Sequence, residues 1–353
     1  MVTWGQGTSN LQTLYLQSNH VYEGQNMDNT ILKLIDNAPD PGDILRGGTN
    51  WQNPWSNQND YVESVTIRAL TVDGNKDNGN QYRHVWNRQS GIYAQWSKNI
   101  TIEDVKVVNA ATVNIHLDSC QNSVIRRVTA IGAVWDGIHL GNMGGGYKHL
   151  GATVEDVYCE NCFGIPASVK DHPTGWTGGS ALDVGLGQNI NTHRLRGFNL
   201  GAKGVYYDRV TRGTIEDCQV DLTNLHERSG GLSLYHCNDI TVRRFKSTRS
   251  NCLGFDIGLG CNNISIEESE IRDAKVLPIQ IGYGNDTSSN IEIHHCNIYP
   301  MTTNTHVIQN HTPNIVHAEN NYWGTADRNT LLKLIPQNQN ISWEPFLTQM
   351  FPH

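Results

Sequence analysis

The chain lacks the long apolar run that a membrane helix needs: no stretch of its 353 residues approaches the roughly 18 consecutive apolar positions of a span. It is also short of charge, at 17%, and has no basic excess. Its 26 Lys+Arg against 34 Asp+Glu leave a net charge of −8, which gives bulk electrostatics no grip on nucleic acid. Met1-Val-Thr-Trp4 has neither a basic start nor an apolar signal core, and the abrupt beginning suggests that something upstream is missing. A second paired-cysteine motif is absent as well. Cys159 and Cys162 form a lone CxxC, so the spacing of a structural zinc site is not completed. Proline is scarce, 11 residues, whereas glycine is plentiful at 34, and no helical stripe runs through the middle of the chain.

What is present is a repeat. Gly91-Ile-Tyr-Ala, Asn114-Ile-His-Leu, Gly137-Ile-His-Leu, Gly231-Leu-Ser-Leu and Gly254-Phe-Asp-Ile each open a unit. Gly91, Asn114 and Gly137 are 23 residues apart, as are Gly231 and Gly254. Small-residue turns ending in Asn (Asn99, Asn122, Asn238, Asn263) lead into alternating strands such as Ile100-Thr-Ile-Glu and Ile264-Ser-Ile-Glu. A period in the low twenties with short period-2 strands is the signature of a β-solenoid. Cys120, Cys237 and Cys261 share one column of the repeat, and Cys218 and Cys296 share another with Val105, Val128 and Val157. These placements predict buried structural thiols rather than disulfides. The sequons at Asn99 and Asn263 are explained by the repeat turn, so no glycosylation is read from them.

The fold expected is all-β, a single-domain right-handed parallel β-helix of about ten coils occupying residues 1–353. Excursions interrupt it near 47–60, 76–90 and 163–179. Residues 325–353, with Leu331-Leu-Lys-Leu-Ile335, are expected to cap the last rung, because an open solenoid end exposes core and unpaired strand edges. The G-I-x-L…N-I-T-I-E repeat, the phrase Leu70-Thr-Val-Asp-Gly-Asn75 and the closing Asn320-Asn-Tyr-Trp-Gly324 resemble the pectate-lyase-like superfamily of parallel β-helix proteins, over roughly residues 12–350. That resemblance implies a polysaccharide bound in a groove along one sheet. It does not choose an activity, since the superfamily includes lyases, hydrolases, epimerases and phage tailspikes. The Arg-x-Pro-x-x-Arg, Gly-His-Gly, Arg-Ile-Lys and Asp-Pro-His motifs of its best-known branches are missing.

Alternation supplies a candidate site. If Ile92 and Ala94 face the core, Tyr93 and Gln95 face out. Carried along the chain, one outward column reads Tyr93, His116, His139, Asp183, Tyr206, Ser233, Asp256, Gln280, and its neighbour reads Gln95, Asp118, Gly141, Gly185, Asp208, Tyr235, Gly258, Gly282. An ordinary solvent face carries Lys, Glu, Thr and Ser; this one carries acid–base and hydrogen-bonding types with glycines beside them. Glycosidic hydrolysis needs two carboxyl groups, one to protonate the leaving oxygen and one to activate water or attack carbon. Asp183, Asp208 and Asp118 are the candidate carboxylates, with His139 and His116 as candidate acids or bases. Singly, any of these Asp residues is equally an ordinary polar group on a sheet.

Tyr93, Tyr206 and Asp256 are expected to bind substrate. Trp135 and Trp176 offer flat faces for sugar stacking, or alternatively cover the solenoid edge, and Lys170 and His172 would reach the groove if the excursion folds over it. Trp51, Trp55 and Trp86 sit in the earlier excursions.

The reading is therefore a polysaccharide depolymerase, extracellular or virion-associated, with hydrolysis ahead of elimination because the stripe itself contains no cation. No metal and no cofactor are assigned. A Ca²⁺-assisted lyase acting on a uronate is the runner-up, and a metal bound with Asp118 is a lesser alternative. A glycan-binding phage or cell-surface fibre, trimeric if it is tailspike-like, is the non-enzymatic rival. No nucleic-acid or membrane partner is expected.

Overall fold

The computed structural model describes residues 2–3, 7–11, 13–38, 42–48, 62–80, 89–141, 148–163, 178–225, 229–301 and 306–352. The chain is a parallel β-solenoid of about ten turns, nearly all-β, with one short helix among the described residues. Eleven short strands stack in parallel to make one sheet, and a second hydrogen-bonded set of 20 strands makes the rest of the wall. The 23-residue period appears directly as register, with Ile92 beside Ile115 and Ile115 beside Ile138. The excursions expected near 47–60, 76–90 and 163–179 fall largely outside the described residues, and Trp51, Trp55, Trp86, Lys170, Asp171, His172 and Trp176 lie outside them.

Alternation decides what fills the interior. Ile92, Ala94, Ile115, Leu117, Ile138, Leu140, Leu182, Val184, Leu232, Leu234, Phe255 and Ile257 are wholly buried in one continuous core. Tyr207 takes the same inward register, and its hydroxyl is satisfied inside the core by Thr192 Oγ1 at 2.7 Å. A buried phenol without a partner would be costly, so the pairing explains how a tyrosine can occupy an aliphatic slot.

All eight cysteines are free and buried. Each thiol of the Cys120 column donates to a carbonyl of the preceding coil: Cys120 to Ala94 at 3.4 Å, Cys237 to Tyr207 at 3.3 Å and Cys261 to Leu234 at 3.2 Å. Burial pushes the thiols of Cys162, Cys218 and Cys296 up to about 12. Since the thiolate is the reactive form, the native protein is expected to give no fast reaction with Ellman's reagent and eight thiols per chain after unfolding. A fast-reacting thiol in the native state would contradict this packing.

The corners use left-handed backbone. Asn99 and Asn122 have φ of 53° and Asn263 has 60°, which explains the Asn that precedes each strand. A second corner stacks Asp104, Arg127, Asp156, Arg194, Asp217 and Arg244, all at positive φ. Their opposite charges meet coil to coil at 2.7 Å (Arg127–Asp104) and 2.6 Å (Arg194–Asp156, Arg244–Asp217). These exposed pairs relieve like-charge crowding more than they add stability. At the far end the helix Arg328–Leu334, N-capped by Asp327, buries Leu331 with Ile335 and Trp323 against the last rungs, as a cap should.

Candidate active site

The outward stripe exists, residue for residue. Register pairs Tyr93 with His116, His116 with His139, His139 with Asp183, Asp183 with Tyr206, Tyr206 with Ser233 and Ser233 with Asp256. The neighbouring column pairs Gly141 with Gly185, Gly185 with Asp208 and Asp208 with Tyr235. None of these side chains belongs to the solenoid core. The stripe is nevertheless not washed by solvent: His116 is 1% exposed, Asp118 2% and His139 7%. The rings pack on one another, Tyr93 edge-on to His116 at 5.1 Å and His116 edge-on to His139 at 4.8 Å.

At the centre stand Asp136, His139 and Asp183. His139 Nδ1 lies 3.5 Å from Asp136 Oδ2 and 3.8 Å from Asp183 Oδ1. Asp136 was not read from the sequence. It sits just before its strand, and its Oδ1 accepts from the backbone N–H groups of Ser180 at 2.8 Å and Gly179 at 3.2 Å. Burial pushes the Asp183 carboxyl up to about 7, with Asp136 and Asp208 adding to the effect and His139 and Lys203 opposing it. Burial also raises Asp118 to about 6, against a hydrogen bond from Ser119 at 2.7 Å. For His139, burial disfavours the imidazolium, but the carboxylates of Asp183, Asp136 and Asp118 outweigh it and leave the pKa raised. His116, fully buried and facing the cationic forms of His139 and Arg46, is held well below the ordinary histidine range.

Asp208 has different surroundings. It accepts from Arg209 at 2.8 Å and from His236 Nδ1 at 2.9 Å. It stands one coil on from Asp183 and two residues along the strand. Coil spacing of about 4.8 Å and a rise of about 3.3 Å per residue then separate the two Cα atoms by about 8 Å. Gly185 lies between them, paired with Asp208, and a Cβ built on it would meet nothing within 4 Å. The two carboxyl groups therefore flank an open floor.

The expectation that this region has no cation is corrected by the structure. Arg46 pairs with Tyr93 at the head of the column and lies over its ring at 4.7 Å, held by Asp43 at 2.5 Å. Lys203 lies over the Tyr206 ring at 4.4 Å and near enough to Asp183 to affect its ionisation. A sequence signal for two of the missed groups did exist. Backbone bonds place Val113, Asp136, Ser180 and Lys203 in one column, the slot immediately before each restart, where charged residues stand out. Arg46 escaped because the 47–60 excursion breaks the period just after it.

Two expected sugar contacts have structural employment. Asp256 is fully buried, and its carboxylate accepts from the Tyr235 hydroxyl at 2.5 Å and from the Tyr283 hydroxyl, so it fixes those rings. Trp135, 6% exposed, packs in a small cluster with Val113 and Val134, which leaves little of its face for a sugar. Tyr206 packs edge-on to Tyr235 at 5.4 Å, and Tyr235 approaches Tyr283 at 6.3 Å.

No protein-family model and no curated protein matches the chain. Solved structures do match in fold. The catalytic domain of a GH87 α-1,3-glucanase in complex with nigerose aligns with TM-score 0.68 at 12% identity, covering 97% of this chain and 63% of that one. The catalytic unit of a thermostable GH87 α-1,3-glucanase from Streptomyces thermodiastaticus aligns at 0.66 and 11%, covering 100% of this chain and 64% of that one. PfbA, a surface protein and adhesin of Streptococcus pneumoniae, aligns at 0.66 and 12%, covering 98% and 91%. The chain thus spans about 63% of the glucanase length. At these identities the likeness is one of fold, shared by hydrolase domains and an adhesin alike.

Proposed function

We propose that the chain is a glycoside hydrolase that cleaves a polysaccharide lying over Gly185, between Asp183 and Asp208. The observation that carries this reading is the pair of unlike carboxyl groups. Asp183 is buried and raised to about 7, so a large part of it is protonated near neutrality. Asp208 is surrounded by Arg209 and His236, donors that suit the anionic partner. Asp183 donates its proton to the glycosidic oxygen as the C–O bond breaks. Asp208 takes a proton from the water whose oxygen joins the anomeric carbon. The two roles are then restored by proton exchange with solvent. Because water attacks directly and no covalent glycosyl–enzyme intermediate forms in this scheme, inversion is the expected stereochemistry.

The GH87 neighbours make α-1,3-glucan the first substrate to test. A glycan substrate also fits a place of action outside the cell or on a virion. One observation favours a second reading. Lys203 beside the stripe would neutralise a uronate carboxylate, as a lyase requires before a base removes the neighbouring proton. Incubation with neutral glucans and uronate-containing polysaccharides separates the two. Hydrolysis predicts new reducing ends without ultraviolet absorbance from unsaturated uronates; elimination predicts both together. Binding without either would support the adhesin-like reading.

A further inference from the structure

We infer that Asp136 Oδ2, His139 Nδ1 and Asp183 Oδ1 form a preorganised site for a borderline divalent cation of the Zn²⁺ class. Each of the three residues offers one ligand atom, and these atoms lie within 4.8 Å of one another. Tetrahedral Zn²⁺, bonded at about 2.0–2.2 Å, separates its ligands by about 3.3–3.6 Å. The distances from His139 Nδ1 are 3.5 Å to Asp136 and 3.8 Å to Asp183, close to those separations.

A second observation points to a ligand. His139 has a side chain only 9% exposed, and its Nδ1 faces the two carboxyl groups without a hydrogen-bond partner. An orphaned buried imidazole nitrogen is costly, and a metal ion satisfies it. The outer shell is also in place. Gly179 and Ser180 N–H groups hold Asp136 Oδ1 and turn Oδ2 toward His139, while His116 fixes the His139 ring edge-on at 4.8 Å. One nitrogen with two carboxylates suits Zn²⁺ or Co²⁺. Ca²⁺ prefers six to eight oxygens and fits poorly.

Two carboxylates and a neutral imidazole carry a charge of −2 that a divalent cation cancels. A bound ion would occupy the Asp183 carboxylate and take it out of acid catalysis. Binding itself does not depend on the hydrolytic reading.

The test is a Co²⁺ titration of the chelator-treated protein at about pH 7.5, followed by visible d–d absorption, with calorimetry for Zn²⁺. One equivalent with a four- or five-coordinate spectrum is expected. His139→Ala should weaken that equivalent by ~100-fold or more, whereas Asp208→Asn, outside the ligand set, should keep it within about twofold. If circular dichroism shows that His139→Ala does not fold, Asp136→Asn replaces it. Absence of Co²⁺ binding below millimolar concentration, or wild-type affinity in the ligand variant, overturns the site. Loss of hydrolysis in Asp208→Asn with Co²⁺ binding intact tells the two proposals apart.

Discussion

Asp183→Asn is expected to lower turnover by ~10²-fold or more, because an amide cannot deliver the proton that the leaving oxygen needs. The same substitution should leave the protein folded, and its effect on stability should depend on pH in a definite direction. The Asp183 carboxyl ionises at about 7 in the folded chain and near 3.9 when unfolded. Between those values the folded state holds a proton that the unfolded state has released. The contribution of Asp183 to stability therefore falls as pH rises from about 4 to about 7 and stays low above it. Asn carries no such dependence. Thermal melts should show the difference in Tm, variant minus wild type, moving in the variant's favour from pH 5 to pH 8. A difference that is flat, or that moves the other way, would mean that Asp183 is not the buried, proton-holding group described here.

The second large effect separates two glycines that look identical in sequence. Gly141 and Gly185 are register partners on adjacent coils. Gly141 has φ +127°, and a Cβ on it would stand 1.7 Å from the Gly185 carbonyl oxygen. Both the backbone conformation and the clash oppose any side chain, so Gly141→Ala should cost about 3 kcal/mol or more. Gly185 carries neither penalty, and its Cβ would enter open space. Gly185→Ala should stay within about 1 kcal/mol of wild type. Gly185→Phe should fold yet lose activity, since the ring would occupy the floor between Asp183 and Asp208. Denaturant unfolding of the three variants, with activity measured on the folded ones, checks both halves. An active Gly185→Phe would move the substrate elsewhere.

Much of this was legible in the chain because a solenoid repeats its geometry. The 23-residue spacing and the alternation in Ile92-Tyr93-Ala94-Gln95 are enough to order the stripe from Tyr93 to Asp256, and the register agrees at each step. The buried cysteine column was readable for the same reason. Asp136 and Lys203 stand in the slot before the strand, where no period-2 pattern assigns a side to a residue, so only their place in the restart column singles them out. Arg46 was hidden by the excursion that follows it. Burial of the stripe was not readable either. It depends on lateral packing, such as His116 between Tyr93 and His139, which alternation does not encode. Nor did the column show that Asp256 is spent on Tyr235 and Tyr283.

In the proposed reaction water attacks an anomeric carbon held over Gly185, activated by Asp208 while Asp183 protonates the leaving group. Proton NMR of the first products released from an accepted oligosaccharide tests it most directly. A new reducing end is expected, with a fresh anomeric signal inverted relative to the cleaved bond and visible before mutarotation. A retained anomer, or vinylic signals from an unsaturated uronate in place of a hydrated product, would contradict it.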